Sequence, residues 1–181
     1  MVLLTESLPQ FQSLSLGIWV AAGTRHETPG EEGLSHFLEH MMFKGTERRS
    51  ALDIAREVDR VGGEFNAFTS REYTCFHLLL LARDVRLAAD IISDVLLNSK
   101  FDQTEIERER KVILQEISMV EDNPEELIHD VFFEQAFGGH ALGRPILGTP
   151  ASVSKFNRQT LVSYFRRHYS PSQMIDRKSV V

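Results

Sequence analysis

The sequence predicts an α+β domain, a mostly antiparallel sheet with helices packed on one face. Three observations carry this. Apolar or alternating runs at residues 2–5, 13–22, 64–70 and 73–82 read as strands. Segments with apolar residues at helical spacing lie between and after them. The alternation lacks the regular strand–helix–strand spacing of a parallel, doubly wound sheet.

Taken in order, the first two strands flank a turn at Leu8-Pro9. Residues 23–33, rich in Gly, Pro and Thr, form a loop that leads into a helix over 34–43, ended by Gly45. Ser50 is placed to cap a helix over 51–61, with Asp53 in its first turn, and Gly62-Gly63 stops it. Two strands joined by a short turn follow. Val85, Ala88, Ala89, Ile92, Val95 and Leu96 mark one face of a helix over 84–97. Asp102 and Thr104 are candidate caps for a long helix over 105–121. Asn123-Pro124 breaks that helix, and Pro124 suits the first position of the next, which runs to about residue 137. A loop over 138–150 and two short helices near 150–155 and 159–168 complete the chain.

With 181 residues the chain is long enough for one domain with a substantial core. Apolar residues make up 42% and charged residues 25%, an ordinary balance for a water-exposed domain. The net charge of −6, without a Lys/Arg-rich stripe, excludes nucleic acid as an expected partner. The longest apolar run, residues 78–82, is too short to span a membrane. The first residues lack the basic segment and long apolar core of a signal peptide. The expected location is therefore the cytoplasm. Cys75 is the single cysteine, so no internal disulfide framework exists, and it reads as a small buried apolar group.

The chemistry centres on His36-Phe37-Leu38-Glu39-His40. Two histidines four apart on a helix stack one turn apart on one face, so both rings can converge on one metal ion. Glu39 shares that face. This is the H-x-x-E-H order, in which two histidines hold Zn²⁺ and the glutamate acts as general base on a zinc-activated water. The plainer alternative is an amphipathic helix that happens to carry these residues. Catalytic zinc takes three protein ligands, so a third must come from elsewhere. The helix over 105–121 offers Glu109 and Glu116, seven apart and on one face.

Three motifs now stand in order: His36–His40; Gly62-Gly63-Glu64-Phe65-Asn66-Ala67-Phe68-Thr69-Ser70-Arg71-Glu72; and Glu109-Arg110-Lys111-Val112-Ile113-Leu114-Gln115-Glu116. Together they resemble the inverzincin peptidases, the pitrilysin or M16 family, and within it the mitochondrial processing peptidase β subunits and their bacterial relatives. The match runs from about residue 13 to 174. The resemblance implies a processing-peptidase-type sandwich domain that binds Zn²⁺ through His36, His40 and Glu116. Glu39 would be the base, and Glu109 would hold a histidine or the ligand carboxylate from behind. It also implies a peptide or unfolded-protein substrate, paired as an added strand with the segment of Asn66 and Ala67. Glu126 and Asp130, ten and fourteen residues after Glu116, stand where the processing peptidases bind an arginine just upstream of the cut. Their spacing of four on one helix suits a guanidinium, which can donate two parallel hydrogen bonds. The alternative is a solvated acidic face in a helix's first turn.

The chain departs from the family pattern at both ends. Relatives carry a strand before the position of Val2, and an apolar strand where Asp176-Arg177-Lys178-Ser179-Val180-Val181 stands here. The expected organisation is a catalytic domain over 1–175 and a divergent or truncated tail over 176–181. A missing C-terminal domain, a partner subunit or a second copy would supply an arginine and a tyrosine to the site. The chain alone is expected to be close to inactive. A presequence before Met1 would move the expected location from the bacterial cytoplasm to the mitochondrial matrix. Two other functions are weighed. S-ribosylhomocysteine lyase shares the H-x-x-E-H helix but needs two working cysteines, and Cys75 cannot fill both places. A non-catalytic structural subunit of a larger complex has usually lost parts of the motif, which is complete here.

Overall fold

In the computed structural model, which describes residues 2–180 and the side chains of 2–175, one sheet has the strand order β1-β5-β2-β4-β3. The strands are β1 (Val2–Ser7), β2 (Ser13–Val20), β3 (Glu64–Thr69), β4 (Thr74–Leu81) and β5 (Met174–Val180). β2 pairs antiparallel with β4 and β5, and β3 antiparallel with β4, while β1 runs parallel to β5. The helices are α1 (Leu34–Met42), α2 (Ala51–Arg60), α3 (Val85–Asn98), α4 (Gln103–Glu121), α5 (Pro124–Ala136), α6 (Pro150–Val153) and α7 (Arg158–His168). The α+β class and the mostly antiparallel sheet follow the sequence reading. None of these helices is long and apolar enough to cross a membrane.

The period-two pattern of β2 explains the core. Leu14, Leu16 and Ile18 stand opposite Leu80, Leu78 and Phe76 of β4, and all six are buried. Onto this face pack Ile91, Ile92 and Val95 of α3, Ile106, Ile113 and Ile117 of α4, and the apolar stripe of α1. In α1 that stripe is Leu34, Phe37, Leu38, Met41 and Met42, each buried. His36, Glu39 and His40 are left on the remaining, partly exposed face. α1 lies against α4, β3 and α7, so its polar face is aimed at two neighbouring elements.

The caps follow local chemistry. Ser50 accepts from Asp53 N and forms a reciprocal box with it. Asp102 accepts from Thr104 N and Glu105 N at the head of α4, and Asn123 caps α5, with Pro124 first in that helix. One segment differs from the sequence pattern. Residues 176–180 lack apolar alternation and read as a tail, yet their backbone continues β5 from Met174. β5 lies between β1 and β2, so ladder hydrogen bonds on both sides hold a strand that its composition does not announce.

Behind α1, a buried ionic cluster fixes the following loop. Thr46 Oγ1 donates to Asp94 Oδ2 at 2.7 Å, and Arg49 donates to Asp94 at 2.8 Å, to Glu57 at 3.1 Å and to Asp90 at 2.5 Å. The Asp94 side chain is fully buried. Removing Arg49 would leave that carboxylate buried without its cation, the situation in which a buried pair matters most. We expect Arg49→Met to lower the unfolding free energy by about 3 kcal/mol in urea denaturation. A loss well under about 1 kcal/mol would mean that Thr46 and Asn98 satisfy Asp94 without it.

Candidate metal centre

α1 presents His36 and His40 one turn apart, and their Nε2 atoms lie 3.2 Å from each other. From α4, Glu116 Oε2 approaches to 3.9 Å from His36 Nε2 and 3.6 Å from His40 Nε2. A tetrahedral ion with N and O ligands at roughly 2.0–2.1 Å has donor atoms roughly 3.3 Å apart. The three donors are therefore spaced closely enough to hold one ion. Among the described residues they are the group of His, Cys and acidic side chains placed closely enough to hold one. Glu116 Oε2 is buried and finds no hydrogen-bond partner among the described residues, as expected of an atom reserved for a ligand bond.

The state of each ring is set by its surroundings. His40 Nδ1 lies 3.0 Å from Glu109 Oε2, and a carboxylate can only accept, so Nδ1 carries the proton and the Nε2 lone pair faces the gap. Glu109 is held in turn by Lys44, whose Nζ lies 2.8 Å from Oε1. Burial, the largest cause, pushes His36 down to about 3, so its ring stays neutral. His36 Nδ1 has no partner among the described residues and lacks a carboxylate of the kind that orients His40. Glu39 is raised chiefly by burial, against the hydrogen bond from Thr69 Oγ1 to Glu39 Oε2 at 2.5 Å. Thr69 thereby ties the Glu39 carboxylate to the end of β3.

Sequence spacing put Glu109 and Glu116 on one face. The structure separates them, with Glu116 on the Nε2 side of the histidines and Glu109 on the Nδ1 side of His40. Two contributors escaped the sequence reading. Lys44 had a signal, since it continues the spacing of four from His36 and His40. Thr69 stood inside the second motif, but only the packing of α1 on β3 brings it to Glu39.

β3 is an edge strand, paired on one side with β4. Ser70 N donates to Tyr73 O, which fixes the alternation of the ladder and turns the Ala67 backbone toward the free edge. There Asn66 Oδ1 accepts from Ala67 N at 2.8 Å. Both residues expected to meet a substrate strand therefore sit at an open edge beside Glu39. Glu126 and Asp130 are placed differently from each other. Glu126 is exposed, but Asp130 Oδ1 accepts from Arg71 Nη2 at 2.9 Å. The same guanidinium donates to Leu142 O at 3.1 Å and lies 3.6 Å from the centre of the Phe133 ring. Asp130 already holds an internal arginine, a pairing the helical spacing could not reveal. Cys75 is buried on β4, outside the donor group, and burial pushes its thiol up to about 12.

Known proteins resemble this chain in sequence and in fold. The family described as Insulinase (Peptidase family M16) matches residues 2–150. The uncharacterized zinc protease YmxG of Bacillus subtilis is 43% identical over 170 residues, covering 94% of this chain and 42% of its own length. An uncharacterized zinc protease of Streptomyces coelicolor is 44% identical over 173 residues, covering 96% and 38%. The chain thus spans about two fifths of the curated relatives it matches. Among solved structures, a protease from Helicobacter pylori superposes with a TM-score of 0.94 at 21% identity, covering 99% of this chain and 44% of that one. A peptidase M16 inactive domain from Pseudomonas fluorescens superposes at 0.90 with 17% identity, covering 98% and 43%. With the family matched over most of its length and its three motifs folded around one donor group, the chain belongs to peptidase family M16.

Proposed function

We propose that this chain is a zinc-dependent endopeptidase domain acting on extended peptides or unfolded segments. The observation that carries this is the meeting of His36, His40 and Glu116 within one ion's reach, with Glu39 beside them at an open strand edge. That the curated relatives are named zinc proteases supports the metal. Zinc supplies Lewis-acid activation of water and of the scissile carbonyl. Glu39 takes the proton from the attacking water and passes it to the leaving amine, a task that its raised pKa suits. Thr69 holds Glu39 Oε2 and so restrains the orientation of the carboxylate. Glu109, steadied by Lys44, keeps His40 in the ligating tautomer.

Substrate would join the sheet at β3 as an added strand. A substrate carbonyl that takes the Ala67 N–H displaces the Asn66 side chain now bound there. A non-catalytic subunit is the second reading, and one fold neighbour is titled an inactive domain. The presence of His36, Glu39, His40 and Glu116 together favours catalysis.

Two experiments test the proposal in the full-length protein. Purified protein should carry one Zn²⁺ per chain, and His36→Ala/His40→Ala should lose it, whereas stoichiometric zinc in the double variant would refute the ligand set. Glu39→Gln should keep the metal and lose at least about 100-fold in cleavage of an unfolded peptide. Wild-type turnover by that variant would remove Glu39 from the mechanism.

The finer reading is a preference for arginine just upstream of the cut, carried by Glu126 with Asp130. Arg71 supports the affinity of Asp130 for a guanidinium, and it also competes for the seat. Glu126→Gln with Asp130→Asn should reduce cleavage of arginine-containing peptides far more than that of arginine-free ones. Equal losses on both would show that these carboxylates only anchor α5 through Arg71.

A further inference from the structure

Helix α1 starts without a cap of its own. Its N-cap position is Gly33, which has no side chain and takes the left-handed conformation at φ 90°. A Cβ there would run into the backbone carbonyl of Leu147, so no residue with a side chain fits. The first backbone donors are served from upstream instead. Glu27 accepts from Gly33 N at 3.0 Å through Oε2 and from Ser35 N at 2.8 Å through Oε1. Glu27 is 3% exposed, and Arg144 anchors its backbone by donating to its carbonyl oxygen. The carboxylate sits at the positive end of the helix dipole. Ser35 is pinned a second time, by a 2.8 Å bond between its hydroxyl and that of Tyr164.

His36 is the next residue and lies in this first turn, whereas His40 lies one turn further on. Their Nε2 atoms stay 3.2 Å apart only while the first turn stays wound. Glu27 is a costly way to achieve that. Burial pushes it up to about 7, against the two backbone donors and Arg144, which lower it. A neutral cap such as Ser or Asn would satisfy helix donors without burying a charge. Helices α2, α4, α5 and α7 use such short local caps, or an exposed aspartate, at their heads.

We infer that Glu27 is a positioning residue for the zinc site: by bridging Gly33 N and Ser35 N it winds the first turn of α1 and sets His36 against His40. The inference rests on the zinc reading above. Cap and metal both favour the wound turn, so each strengthens the other by the same factor.

The test uses the full-length protein at about pH 8, above the point where Glu27 ionises, with Zn²⁺ titrated against a chelating indicator. Glu27→Gln should bind Zn²⁺ about tenfold more weakly than wild type with an unchanged circular dichroism spectrum. Ser50→Ala, which removes the cap of a helix without a ligand, should bind as wild type does. In wild type, Zn²⁺ should slow hydrogen exchange at the Gly33 and Ser35 amides. That comparison decides the matter alone if Glu27→Gln does not fold. Zinc binding by Glu27→Gln within about twofold of wild type, or exchange at the two amides indifferent to zinc, overturns the inference while the zinc reading stands. A wild-type protein that takes up no zinc overturns both.

Discussion

The site depends on α1 lying against α4 so that two imidazoles of one helix meet one carboxylate of another. The apolar stripe of α1 makes this possible. Leu34, Phe37, Leu38, Met41 and Met42 leave no rotation of the helix that keeps the core filled and turns His36 and His40 elsewhere. The same packing that stabilises the fold therefore aims the donors. It also explains why His36 stays neutral, since a ring held at the rim of a close-packed core loses solvation for its charged form.

A second consequence follows on the other side of α1. Because this helix also rests on β3, the carboxylate next to the donor group is bonded to the last residue of an edge strand. The proposed base and the proposed substrate-binding edge are thus one mechanical unit. The β3–β4 turn extends that unit to α5, because Arg71 reaches from the turn to Asp130, Leu142 and Phe133. None of the α5 residues is buried, so this arginine contact ties an otherwise lightly held helix to the rest of the fold.

Three buried carboxylates hold α1 and the loop that follows it, each with a different form of compensation. Glu27 has backbone donors, Glu109 has His40 and Lys44, and Asp94 has Arg49, Thr46 and Asn98. An apolar core would be the cheaper solution for stability alone. Their placement at α1 and its following loop fits a requirement for direction, in which side chains and backbone must hold angles that apolar packing does not specify.

Local features of this protein were legible in the sequence because their physics is local. Helical periodicity put His36, Glu39 and His40 on one face, and the caps at Ser50 and Asp102 and the helix start at Pro124 read out directly, as did strands β2 and β4. What depends on distant segments meeting was not legible. Spacing made Glu109 and Glu116 equivalent, and only the crossing of α1 over α4 gave one the Nε2 side and the other the Nδ1 side of His40. The polar residues 176–180 became strand β5 because two neighbouring strands supplied hydrogen bonds that composition cannot express. Asp130 and Glu126, alike on their helix, parted because Arg71 arrives from 59 residues away in the chain. The sequence determined which faces the helices and strands would present. Tertiary packing decided what each face would meet, since that is fixed by how separate elements fill one core.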